Sequence, residues 1–191
     1  MRSLQTLLIV TVGALTLAFT PAVMAQQKLQ ISQSDISFTS KQMGVPVEGH
    51  FRKFDAQLNF DPVKPETSSI AFVIDTGSAT LGAKESEAEV AKAAWFNVAQ
   101  FPQAKFTSSK VAGLGGGRFE VSGKLTIKGN SRDILIPVTL TQSGASTQAS
   151  GSFVLKRLSY QIGDGEWSDT SLVADEVLVK FRLSLTGVRK F

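Results

Sequence analysis

The hydrophobic positions of this chain fall mostly on every second residue. Between Gly117 and Leu140, Phe119, Val121, Leu125 and Ile127 share one parity, and Ile134, Ile136, Val138 and Leu140 share another run. Lys128-Gly129-Asn130-Ser131, a turn-forming cluster, lies between them. A period of two places successive side chains on opposite faces, so this stretch predicts a β-hairpin with one oily and one polar face.

The rhythm recurs along most of the chain. Leu29 to Phe38 opens with strand-like alternation. Val45, Val47 and Phe51 follow on one parity, then Phe54, Ala56, Leu58 and Phe60 on the other, and the slip at Arg52-Lys53 reads as a bulge or bend. Asp61-Pro62 to Pro65 ends that strand as a turn, and Ile70, Phe72 and Ile74 form the next. Lys105 to Val111, a loose loop from Gly113 to Gly117, Gln148 to Lys156 and a tight turn at Gly163-Asp164-Gly165 come after. Val177, Val179, Phe181, Leu183 and Leu185 make the final strand, with Lys180, Arg182 and Ser184 facing water.

One segment breaks the pattern. Ser86 with Glu89 fits a capping box, and Val90, Ala91, Ala94, Trp95 and Val98 recur at helical spacing before Pro102. The spacing predicts one amphipathic helix over roughly 86 to 96, with Trp95 packed inward. Eight or nine closely spaced strands and one helix imply an all-β antiparallel sandwich or barrel. An eight-stranded barrel is favoured, because closure hides the edge of the long final strand.

The N-terminus carries its own signal. Arg2, the apolar stretch Leu7 to Phe19 and the small-residue site Val23-Met24-Ala25 read as a cleaved secretory signal peptide over residues 1–25. Residues 26–191 then form one barrel domain, and the bacterial character of the leader points to the periplasm. Removing Arg2 takes the formal charge from +4 to +3, with Lys and Arg scattered, so no nucleic-acid partner is expected. The chain has no cysteine, which rules out thiolate chemistry. His50 is the single histidine and reads as a solvent-facing strand residue, so no metal site and no cofactor are expected. Asp164, Glu166 and Asp169 lack calcium-loop spacing, and Gly113 to Gly117 lacks the ending of a phosphate loop. No nucleophile elbow occurs, and no catalytic residue is assigned.

Several short motifs carry a resemblance. Ile36-Ser37-Phe38 and Met43-Gly44, Val47-Glu48-Gly49-His50-Phe51, Phe60-Asp61-Pro62, Ile74-Asp75-Thr76, Trp95 to Pro102, Phe106-Thr107-Ser108 and Val121 to Gly129 stand in one order. With them the mature chain resembles the YceI-like family of periplasmic proteins with a lipocalin-like barrel. Gln42 stands where that pattern often has a histidine. Gly163-Asp164-Gly165-Glu166-Trp167 to Asp175-Glu176-Val177 looks like the subgroup found near cytochrome b561-type membrane proteins. The resemblance implies a non-catalytic binding or carrier protein that holds a long isoprenoid lipid, either a polyprenyl phosphate or a quinone tail. It also implies a membrane cytochrome b561-type protein as a partner. The alternative is an interaction module for a membrane electron-transfer protein, without cargo. The edge-rich topology admits a homodimer.

The candidate ligand-binding side chains are the inward apolar ones. From the first half these are Phe38, Phe51, Phe54, Leu58, Phe60, Phe72 and Ile74. From the second they are Phe106, Phe119, Val121, Ile134, Ile136, Phe153 and Phe181. Twelve phenylalanines follow Ala25, and a strand phenylalanine either fills a barrel or lines a pocket. Trp95 and Phe96 are expected to plug one end, and Trp167 either guards the mouth or is an ordinary loop aromatic. A phosphate head would favour cations at the mouth, such as Arg52, Lys53 or Arg157, and a quinone would favour hydrogen-bond donors.

Overall fold

Period-two alternation becomes strand almost wherever it occurs. The structure is a computed structural model and describes residues 26–191. The leader, residues 1–25, lies outside the described residues. The strands are β1 (Lys28–Leu29), β2 (Asp35–Gln42), β3 (Val45–Phe51), β4 (Phe54–Asn59), β5 (Ser69–Asp75) and β6 (Ala79–Thr80). After the helix α1 (Lys84–Val90) come β7 (Gln103–Gly115), β8 (Arg118–Ile127), β9 (Asn130–Ser143), β10 (Ser146–Lys156) and β11 (Glu176–Thr186).

All pairings are antiparallel, in the order β4-β5-β7-β8-β9-β10-β11-β2-β3-β6, with β1 added to β11 beside β2. The sheet curls into a barrel that the strand ladder leaves open beside β4. It has eleven strands rather than eight. Two-residue strands account for part of the difference. The rest comes from Arg52-Lys53, where the chain leaves β3, the partner of β2 and β6, and begins β4, the partner of β5. The expected bend is therefore a change of strand.

Two-residue turns set the register of the long hairpins. Lys128 and Gly129 both have positive φ (48° and 76°), as do Met43 and Gly44 (48° and 80°). That is type I′ geometry, whose twist matches the flanking strands. The glycine run is less of a loop than expected. β7 continues to Gly115 with a register shift after Gly113, and only Gly116-Gly117 turn the chain.

The helix is shorter than its spacing predicts. It begins at Lys84 and stops at Val90, Ala83 caps it without a side-chain bond, and Ser86 lies inside it. Glu89 pairs with Lys92 rather than closing a capping box. Asn97 adopts a left-handed conformation (φ 49°), and the chain folds back there. The amides of Phe96, Asn97 and Val98 then reach the carbonyls of Val90, Lys92 and Ala91. These bonds take the carbonyls that a longer helix would use. Trp95 therefore sits in a tight turn.

One outward position also differs from expectation, and a second gains a partner. Ser184 is buried, because the turn at Ile31–Gln33 covers it: its amide donates to Ser34 Oγ and its hydroxyl to Gln33 Oε1. His50 is half-exposed and bonds Asp35 at 2.9 Å across β2 and β3.

Candidate functional site

The inward parity of the strands encloses two cavities in series along the barrel. The lower one, about 170 Å³, is walled entirely by apolar side chains. β4, β5, β7, β8 and β9 contribute Leu58, Phe72, Ile74, Phe106, Phe119, Val121, Ile134 and Ile136, Phe60 follows directly after β4, and β10 and β11 add Phe153 and Phe181. The upper one, about 380 Å³, lies between the top of β2, β3 and β11, the helix α1 and the loop after β10. Phe38 and Phe51 line it, and Val179 borders both cavities. Thirteen of the fourteen sequence-predicted positions thus face one cavity or the other. Phe54 does not. It is buried on the same strand face as Leu58, with its ring stacked on Phe72 at 6.0 Å.

The phenylalanines leave the interior open because three of them lie over glycines. Phe38 is paired with Gly49 and Phe181 with Gly151, while Phe106 lies diagonally over Gly123. In each case a Cβ on the glycine would come under 3.0 Å from the ring. A ring laid flat on bare backbone covers the wall rather than projecting to the axis, and it supplies the packing that glycine lacks.

The cap over the upper cavity is built around a buried cation. Arg157 is 1% exposed and donates to five carbonyls: Ala174 (3.0 Å), Ile162 (2.9 Å), Gly163 (2.7 Å), Trp167 (2.7 Å) and Val173 (2.7 Å). Burial pushes its pKa down, and the nearby charge of Asp175 offsets part of that. Its whole fork of donors is committed to holding the 162–174 loop, so Arg157 is a structural post and not the free mouth cation expected. Arg52 and Lys53 are exposed and line neither cavity. Trp95 packs against Trp167 at 5.4 Å and lies 5.9 Å from the Arg157 guanidinium. Lys128, also buried, ties the β8–β9 turn to the same cap through Ala94 O, Gln161 O and Asp164 Oδ2.

Polar atoms are few and confined to the upper cavity. Its walls include Ser40, Gln42, Glu85, Ser86, Glu89 and Arg157. Ser40 Oγ and Trp95 Nε1 are shielded from solvent and have no hydrogen-bond partner among the described residues. Ser40 and Gln42 are not among the lining residues expected from the sequence, an expectation that draws only on apolar side chains; Gln42 stands out there only for replacing a histidine. The alternation of Ile36 and Phe38 runs on through both, and parity alone placed them inward.

This architecture has known relatives. The YceI-like domain model matches residues 28–185. The chain belongs to the YceI-like family. A UPF0312 protein of Yersinia enterocolitica is 31% identical over 97% of both chains. Among solved structures, BcnA of Burkholderia cenocepacia is 46% identical with a TM-score of 0.79, covering 82% of this chain and 98% of that one. A polyisoprenoid-binding domain from Saccharophagus degradans shares the fold at TM-score 0.69 and 19% identity, covering 84% of this chain and 98% of that one. The YceI-like fold of the family is thus an all-β curled barrel with one helix, as the alternation implied.

Proposed function

We propose that this YceI-like protein is a non-catalytic carrier or sequestering protein for an isoprenoid lipid, exported to the periplasm after removal of residues 1–25. The observation that carries the reading is the all-apolar lower cavity in series with a wider upper one. A prenyl tail offers almost no donors or acceptors, so it is held by shape and by apolar area, at roughly 25 cal/mol per Å² removed from water. Its competing environment is a membrane, where the tail is already dry. Transfer between bilayer and barrel is then nearly balanced, which suits a protein that must release its cargo. The half-exposed His50–Asp35 pair lines neither cavity. A cargo-free interaction module for a membrane electron-transfer partner would need a barrel packed solid, and the two cavities oppose it.

Native mass spectrometry of protein purified from its own periplasm, with lipid extraction of the same sample, tests the proposal. The expected result is a chain beginning at Gln26 that carries one extractable isoprenoid. A gently handled protein that is consistently lipid-free would overturn the carrier reading.

A further inference from the structure

The tip of the β2–β3 hairpin presents an apolar surface to water. Gln42 and Val173 both line the upper cavity, and they form a lone β-bridge between the hairpin and the loop after β10. One step further out, the Met43 amide donates to the Leu172 carbonyl at 2.8 Å, so the two segments stay joined past the cavity wall. There Met43 is 70% exposed and Leu172 43%. Val45 pairs with Gln42 and therefore shares its face of the sheet. The next residue of β3 on that face, Val47, lines the upper cavity, whereas Val45 is 63% exposed. The apolar lining thus continues out of the mouth as Val45, Met43 and Leu172. The tight turn at Met43-Gly44 keeps these side chains on a compact tip.

We propose that Met43, Val45 and Leu172 insert into the surface of a lipid bilayer and hold the mouth of the upper cavity against it, so that cargo crosses between membrane and barrel without entering water. The proposal rests on the carrier reading and adds where the carrier meets its membrane. Two observations favour a lipid surface over a protein. The patch is continuous with the cavity lining, so whatever covers it also meets the cargo's path. It is also only three side chains wide, far short of the roughly 800 Å² per partner that a stable protein interface buries. A bilayer needs no such area, because each apolar side chain that enters it is stabilised separately. The exposed ionic groups in the adjoining segments are mixed in sign, Lys41 and Lys84 against Glu85, Glu166 and Asp169. They give anionic lipid no advantage, so docking is driven by apolar area and is indifferent to salt.

The chain has no cysteine, so Met43→Cys takes a single environment-sensitive fluorescent label. Leu114→Cys is the control. Leu114 is also exposed, beside the β7–β8 turn, at the far end of β8 from the Lys128-Gly129 turn that meets the cap. The probe is a phosphatidylcholine vesicle doped with a polyprenol, made with and without phosphatidylglycerol. The Met43 label is expected to brighten on adding vesicles and to be quenched by lipids brominated in the acyl chain, while the Leu114 label stays unchanged. Cosedimentation with the vesicles should fall at least about tenfold when Met43, Val45 and Leu172 are all replaced by serine. All three side chains are exposed, so that variant should keep the wild-type melting temperature. Phosphatidylglycerol and added salt should change neither readout. A silent Met43 label, an equal response at Leu114 or unchanged cosedimentation of the triple variant would overturn the docking assignment. So would a dimer that Val45→Ser dissolves, since the patch would then belong to a second copy. Native mass spectrometry of the vesicle-treated protein separates this proposal from the carrier reading. Polyprenol uptake with a silent label leaves the carrier standing without the docking tip. A bright label with no uptake brings down the carrier reading and the transfer step with it.

Discussion

The side-chain amide of Gln27 makes both halves of a β-bridge with the backbone of Phe60. Its Nε2 donates to the Phe60 carbonyl at 2.7 Å, and its Oε1 accepts from the Phe60 amide at 2.9 Å. β4 pairs with β5 on one edge and, among the described residues, has no strand on the other, so this amide acts where the ladder stops. Gln27 directly precedes β1, which is held on β11, and the contact therefore ties the two sides of the open barrel together. Gln27→Ala should cost about 1–2 kcal/mol, from two partly buried hydrogen bonds. Urea denaturation checks the magnitude, and faster hydrogen exchange at the Phe60 amide would locate the loss at the seam.

The glycines under the phenylalanine rings separate stability from capacity. At Gly151 an added Cβ would collide with the Pro137 carbonyl oxygen as well as the Phe181 ring. At Gly49 its close neighbours are all atoms of the Phe38 ring. Backbone cannot yield cheaply, whereas a ring can swing. Gly151→Ala should therefore destabilise the fold by about 2 kcal/mol or more, in the range of overpacked cores. Gly49→Ala should fold with a smaller loss but push Phe38 into the upper cavity. Parallel thermal melts and lipid-loading assays on the two variants should give opposite rankings.

Phe38, Phe119 and Phe181 were legible as inward residues because strand geometry ties parity to face, and parity survives in the sequence. Phe54 shows the limit. Parity states which face a residue occupies but not whether the space above it is filled, and its ring is taken up by Phe72. The short helix was misread for a different reason. The spacing of Ala91, Ala94 and Trp95 is compatible with a helix, but the left-handed turn at Asn97 returns the chain to the last helical carbonyls, and no hydrophobic period records that. Arg157 reads from the sequence as one of several cations that a phosphate head would favour at the mouth. Its partners are backbone carbonyls of an irregular loop, and these leave no trace in side-chain patterning.

Arg157 is expected to be among the most sensitive positions in the chain. Arg157→Met keeps much of the apolar volume but strands five carbonyls, and a loss of at least about 3 kcal/mol is expected from so many broken charge-assisted bonds. Arg157→Lys should recover only part of it, since an ammonium has three donors and no planar fork. Chemical denaturation of the two variants gives the energies. Limited proteolysis within residues 162–174 should quicken in both, because that loop is what the guanidinium holds.

Tyr160 gives the fold an alkaline limit. The residue is buried at 2% exposure, and burial raises its phenol pKa above the ordinary 10.0, with a smaller opposing pull from Arg132. The folded state therefore keeps the proton at a pH where the unfolded chain has lost it. Stability from this group is fully present below pH 10.0, falls as pH rises through the raised folded value, and is then gone. Tyr160→Phe removes the titrating group while nearly conserving the ring. The stability difference between wild type and variant should be flat from pH 7 to 9 and should move in favour of the variant above pH 10.0. Denaturation midpoints measured across that range decide it, and a difference that stays constant throughout would show that the phenol is not protected by burial.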